Sequence, residues 1–398
     1  MIWLTNGDIY NVHLGCFTRG TLVIADGRIV ETTQSTVPPD DALVIDLRGR
    51  YLLPGLIDCH VHLTVPSDEP DPHALARRSD ALAALYTAKA AERTLLAGVT
   101  TVRDVGGWNH VEMAVRKAAR AGDFPAPRMF LAGKLLSITT GSADYYPGMY
   151  EVCDGVDAVT RGARRQIAQG ANLIKVMATG AMLSPEDEDA GAVHFTRAEI
   201  AAAVQVARDH KLHVAAHAHA DEGIRNAVEA GVASIEHGSF ASDETLHLMA
   251  KRGTYLVPTL CVTPAMMRDQ TVAGALAAHL RQRLLEFDEQ HVDAIRRAHA
   301  LGVPIAMGTD AGTPGNHHGD NVQEVVELVT RARLSPVEAL LCATMNPARL
   351  LGKHTELGSI DRDKRADIIA VRRNPLDDIR ALTDVDFVMK DGVVYRHR

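Results

Sequence analysis

Eight short apolar runs, spaced by stretches of helical period, fill residues 54–312 and leave few folds open. They read GLIDCHVHLTV (55–65), GVTTVRDVG (98–106), PRMFLAG (127–133), ANLIKVMATG (171–180), KLHVAAHAHA (211–220), VASIEHGSF (232–240), GTYLVPTL (253–260) and VPIAMGTDAG (303–312). Ala-rich segments of helical period lie between them, among them 73–97, 109–121, 157–169 and 196–209. A strand that is apolar along its whole length is covered on both faces, as strands of parallel sheets are. Strands each followed by a polar loop and a helix predict an α/β fold, a (β/α)8 barrel over residues 54–353.

The two ends have a different texture. Residues 1–53 are short alternating runs broken by Asn6-Gly7, Asp26-Gly27 and Arg48-Gly49, and residues 354–398 return to alternating runs around a Lys390-Asp391-Gly392 turn. Such dipeptides are hairpin signals. Distant β segments can pair, so residues 1–53 plus 354–398 are expected to build one small β-sandwich domain. A chain of 398 residues, 46% hydrophobic, suits one large α/β unit with such a companion.

Bulk charge narrows the partners. A net charge of −8 argues against nucleic acid and acidic membranes. The five cysteines form no CxxC, which points away from a disulfide framework and toward a reducing compartment. MIWLTNGDIYNV reads as a strand and a turn, not a signal peptide, and no apolar run approaches the roughly 20 residues of a membrane span. A cytoplasmic homo-oligomer acting on a small molecule is expected.

Chemistry concentrates at the strand ends. His60 and His62 are two apart, so in a strand both face one side, with Asp58, while Val61 faces the other. Lys175, His217, His237 and Asp310 close four other runs. Each has an ordinary alternative: packed histidines, a snorkelling or paired lysine, a turn-capping aspartate. In a barrel, however, all these ends meet at one mouth. Several buried polar groups converging there are costly unless something binds them, and a metal ion does so.

PGLIDCHVH, IKVMATG, VAAHAH, SIEHG and GTDAG, in this order, resemble the amidohydrolase superfamily. GVTTVRDVGG, TDAGTPGNHHGDN, IADGRIV and GSI…ADIIAV…VMKDGVVY extend the likeness over almost the whole chain. The branch it resembles is the imidazolonepropionase-like group with metal-dependent Xaa-Pro and Xaa-Arg dipeptidases and ochratoxin-type amidases. This resemblance implies a binuclear centre of divalent ions, best matched by zinc. His60, His62 and Asp310 would hold one ion, and His217 and His237 the other, bridged by Lys175 as N6-carboxylysine.

The implied reaction is hydrolysis of an amide bond in a dipeptide or N-acyl amino acid by a metal-bridging hydroxide. Asp310 would shuttle the proton to the leaving nitrogen. His219, where some relatives carry Tyr, is placed to donate to the carbonyl oxygen or to stand behind the site. His318 is placed to meet substrate, and His317 to be solvated. Arg103 could pair a substrate carboxylate or an internal acid, and Asp58 could orient a ligand histidine or cap a loop. Relatives have a Gly-Gly-His-type segment where this chain reads ITTGSADYYPG, so Tyr145 or Tyr146 could take over those contacts. Asp363 stands where relatives often have Gly, and this affects only a turn. Two other readings remain: cyclic-amide (imidazolone-type) hydrolysis or deamination at one metal, and a barrel that only binds. Metal content of two, one or no ions per chain separates the three.

Overall fold

The computed structural model describes residues 1–35, 37–69, 71–183, 189–275 and 278–398. At the N-terminus the alternating runs form β1 (Ile2–Asn11), β2 (Cys16–Ala25), β3 (Arg28–Thr33), β4 (Leu43–Asp46) and β5 (Tyr51–Pro54). Asn6-Gly7 makes no hairpin. β1 runs through it as a bulge, with Asn6 at φ 58 and the register to β2 shifting between Leu4 and Gly7. The site allows no turn because Gly7 lies against β5: a Cβ there would stand 2.4 Å from Leu52 Cδ1. Asp26-Gly27 does turn, joining β2 to β3.

The C-terminal runs form β15 (Ile368–Val371), β16 (Val385–Lys390) and β17 (Val393–His397). β15 pairs antiparallel with β5, Ile369 opposite Leu53, so both chain ends enter one sheet of order β17-β16-β15-β5-β1-β2-β3, with β4 beside β1. Its apolar face, including Leu4, Ile24, Leu52, Ile368 and Phe387, is a cluster separate from the main core. Asp363 adopts φ 66, the left-handed backbone that explains a glycine at that position.

Between the ends, strands and helices alternate. β6 (Leu56–Val61), β7 (Val99–Asp104) and β8 (Arg128–Leu131) form one parallel sheet. β9 (Leu135–Ser137), β10 (Tyr150–Val152), β11 (Ile174–Met177), β12 (Val214–Ala220), β13 (Ser234–Phe240) and β14 (Tyr255–Val257) form a second, in the order β10-β9-β11-β12-β13-β14. Helices 80–96, 111–121, 156–168, 197–209, 221–230, 243–252 and 278–300 separate the strands. Their starts are marked in sequence: Ser79, Thr196 and Ser242 each accept from a first-turn amide, and Thr196 completes a capping box with Glu199.

Two segments differ from expectation. The long loop 137–155 contains the short helix Gly141–Tyr145 and β10. Residues 303–312 form no eighth strand, and the sheets do not close. That segment runs between β14 and β6 through the single bridges Leu256↔Ile305 and Val61↔Ala311. Its bonds to the flanking strands are interrupted: Ala306 N donates to Leu256 O on β14 and Asp310 N to His60 O on β6, but Met307 N turns away to Cys342 O. Asp310 itself has φ 57, so the backbone coils at the point where a strand would continue. The acidic stretch of the loop after Met182 lies partly outside the described residues. Among the described residues no helix is long and apolar enough to cross a membrane.

Candidate metal centre

β6 carries His60 to the mouth, and His62 follows one residue beyond the strand end. Each ring is fixed through one nitrogen. His60 Nδ1 donates to Glu236 Oε2 at 2.8 Å, and His62 Nδ1 to Gly106 O at 2.9 Å. Their Nε2 atoms then both face Asp310 Oδ1, at 3.4 and 3.3 Å. This oxygen is buried and has no hydrogen-bond partner among the described residues. The edges of a tetrahedron built with zinc–nitrogen and zinc–oxygen bonds are about 3.4 Å long. The two distances to Asp310 Oδ1 match such edges, and the orphaned oxygen is what an ion held beside it would satisfy.

β12 places His217 and His219 on one face by its two-residue period. His217 Nε2 donates to Gly180 O at 3.0 Å, which leaves Nδ1 with its lone pair. His219 Nδ1 meets Ser239 Oγ at 2.9 Å. On β13, Glu236 points inward, so a regular strand would turn His237 outward. His237 instead adopts φ 70 and faces the same cavity, its Nδ1 held by Thr259 Oγ1 at 2.8 Å. Thr259 and Asp310 also have left-handed backbones, so the chain is strained at three positions lining the cavity. Ligand atoms of His217, His219 and His237 lie within 4.8 Å of one another, and so do those of His60, His237 and Asp310.

Electrostatics suits cation binding. Burial, reinforced by neighbouring cations, lowers His217 to about 3 and holds His219 and His237 well below the ordinary histidine value. These imidazoles are neutral, and His217 and His237, each bonded through one nitrogen, can offer the lone pair of the other. Burial favours a raised carboxyl pKa at Asp310, but His60 and His62 outweigh it and keep the group ionised. Lys175, on β11 and 1% exposed, is lowered by burial to about 8. A substantial share of its amine is neutral near pH 7–8.

Beneath these groups lies a layer of supports. Glu236 and Arg103 are both fully buried and form an ion pair at 2.8 Å. Arg103 also donates to Cys59 O and Ser234 Oγ. Arg103 thus meets an internal acid, not a substrate carboxylate. Asp58 does not reach a ring nitrogen. It accepts from His60 N, Thr309 N, Thr309 Oγ1 and Asn321 Nδ2, binding the β6 backbone to the 309–310 segment. Glu236 was legible only as a charge inside an apolar run, paired with a second such charge, Arg103, on another strand.

A cavity of about 160 Å³ opens above this floor. His60, His62, Lys175, His217, His219, His237 and Asp310 all line it. Tyr146 lines it too, while the side chain of Tyr145 lies outside the described residues. His318 does not line it. That ring is buried behind His62, whose carbonyl accepts from His318 Nε2 at 3.2 Å. His291, unremarked in the sequence, does the same for His237 O at 3.1 Å. His317 is held by Ser67 Oγ at 2.8 Å.

Residues 51–395 match the model of the amidohydrolase family, and the chain belongs to that family. It is a hydrolase acting on carbon–nitrogen bonds. The chain is similar to ochratoxinase of Aspergillus niger, 30% identical over 376 residues, covering 88% of this chain and 76% of that one. It is similar to the imidazolonepropionase of Maricaulis maris, 27% identical over 397 residues, covering 89% and 87%. Among solved structures, a Xaa-Pro dipeptidase with methionine bound in its active site superposes with a TM-score of 0.90 at 34% identity, covering 99% of both chains.

Proposed function

We propose that this chain is a binuclear metal-dependent amidohydrolase that cleaves the amide bond of a dipeptide or N-acyl amino acid. The observation that carries this reading is the orphaned Asp310 Oδ1 set between His60 Nε2 and His62 Nε2. His60, His62 and Asp310 would hold one divalent ion, most simply zinc. His217 and His237 would hold the other. Lys175 would join the two after its neutral amine adds carbon dioxide to give N6-carboxylysine, releasing one proton. Such a pair of cations supplies a water of lowered pKa and an electrophile for the scissile carbonyl.

The protein's own groups do the rest. Asp310, ionised and beside both imidazoles, takes a proton from the attacking water and returns it to the leaving nitrogen. Ser239 Oγ–H donates to His219 Nδ1, which leaves His219 Nε2 protonated as a donor to the carbonyl oxygen. His318 acts through the backbone of His62, as a positioning group. The same reading takes the two parallel sheets and residues 303–312 as a (β/α)8 barrel spanning 54–353. It takes residues 1–53 with 354–398 as the β-sandwich domain, in a cytoplasmic homo-oligomer.

Metal analysis of the purified protein, joined to a screen of dipeptides and N-acyl amino acids, tests the proposal. About two ions per chain and chelator-sensitive release of a free amine are expected. One ion per chain with ring opening of a cyclic amide would replace this reading.

A further inference from the structure

The floor of the cavity and its wall differ in kind. The wall is an apolar cluster of its own, built from Met266, Val272 and Leu284 with Met182, Leu183 and Val262 packed against it. It is detached from the main core and draws on four segments: residues 182–183 after β11, helix 262–268, helix 270–275 and helix 278–300. Phe287 continues it toward the floor, its ring 5.4 Å from that of His219. Methionine side chains are flexible and polarisable, and they fit bulky apolar groups of varied shape.

Charge is distributed just as unevenly. Among the described side chains lining the cavity, the one Lys or Arg is Lys175, on the floor with the imidazoles. The other charged groups at the opening, Glu69 and Asp71, are acidic. Asp71 is already paired with Arg77 at 2.7 Å. A substrate carboxylate set against this wall would be desolvated without a cation, which is costly.

We propose that the group flanking the scissile amide is bulky, apolar and uncharged, and that a free carboxylate beside the leaving nitrogen is not a recognition element. This rests on the amide-hydrolase reading above and extends its substrates from free acids to N-acyl amines and blocked N-acyl amino acids with branched or aromatic side groups. Met182, Met266, Leu284 and Phe287 select the substrate by burying that group.

The test uses the metal-loaded enzyme and a matched pair, N-benzoyl-L-leucine and N-benzoylisoamylamine, which differ only by the carboxylate. The expected kcat/KM for the uncharged compound is within about threefold of the acid's, or higher. A preference for the acid of roughly 100-fold or more overturns the inference. Ketomethylene counterparts, with CH2 in place of N–H, bind without being cleaved. Calorimetry on them settles the matter even without turnover: equal or tighter binding of the uncharged analogue upholds the inference, and much tighter binding of the acid sinks it. Failure of the enzyme to cleave any amide would count against the hydrolase reading alone. Met182→Lys is expected to move the kcat/KM ratio about tenfold toward N-benzoyl-L-leucine. An unchanged ratio would place the substituent elsewhere and remove Met182 from the assignment.

Discussion

The floor and the wall of this cavity are built on opposite principles. On the floor, Arg103, Glu236, His60 and Lys175 are almost completely buried, and the first three are held in hydrogen bonds to strands. The wall is made of helices and loops whose apolar side chains pack against each other and little else. A buried ionic network has few acceptable geometries, since each lost partner strands a desolvated charge. An apolar wall has many, since dispersion and area burial are not directional. On the proposals above, the contrast separates chemistry from selectivity: the buried floor would hold the reacting groups, and the apolar wall would choose the substrate.

The sharpest way to break this division is at Asp310. Asp310→Asn is expected to lower turnover by roughly 10³-fold or more while the melting temperature stays within a few degrees, as steady-state kinetics and thermal denaturation would show. Near-normal turnover would remove the proton shuttle.

Next comes the support layer. Glu236→Ala leaves Arg103 buried and unpaired, and is expected to cost about 3–5 kcal/mol in urea unfolding. Replacing both, Arg103→Met with Glu236→Leu, should recover much of that loss while activity stays low, because His60 loses its acceptor. A single variant as stable as the wild type would show that the network is not what rigidifies the floor.

The wall should respond more mildly. Met266→Ala is expected to raise KM for apolar amides about fivefold with kcat changed less than about twofold. A fall in kcat with unchanged KM would mean that wall and floor are coupled.

The smallest effect concerns pH. Burial pushes the Glu324 carboxyl up to about 8 from an ordinary 4.5, against the Cys261 amide that donates to its Oε2. The folded chain therefore keeps a proton that the unfolded chain releases above pH 4.5. Its contribution is complete below about 4.5 and is lost as pH rises toward about 8. Unfolding free energy of the wild type, taken relative to that of Glu324→Gln at each pH, should decline across that window. Equal slopes would show that the carboxyl titrates normally.

Much of this was legible along the chain. Strand runs carrying His60, Lys175 and His217 stand where the β/α alternation puts them, while His237 breaks the periodicity of two with its φ of 70. Asp26-Gly27 and Asp391-Gly392 turn as such dipeptides do. Asn6-Gly7 did not, because β1 needed a bulge there to pass Leu52. Residues 303–312 carry a strand-like composition and bond to β14 and β6, but the pairing is interrupted where Met307 N serves Cys342 O and where Asp310 turns left-handed. His318 has the look of a substrate contact, yet a carbonyl claims it. Ser239, Thr259 and His291 had no motif to mark them, and Glu236 stood inside SIEHG with nothing to show its partner, since a support is defined only by what it touches.

Local sequence determined which residues could ligate a cation and, for His217 and His219 on β12, which strand face they share, because backbone period and turn chemistry act over a few residues. Tertiary structure alone decided that His237 and Asp310 would bend into the left-handed region, that Glu236 would back His60, and that a methionine-rich wall would cover the opening. Those outcomes depend on contacts between segments tens to hundreds of residues apart. Only packing brings such segments together, and only there do desolvation and charge pairing acquire their strength.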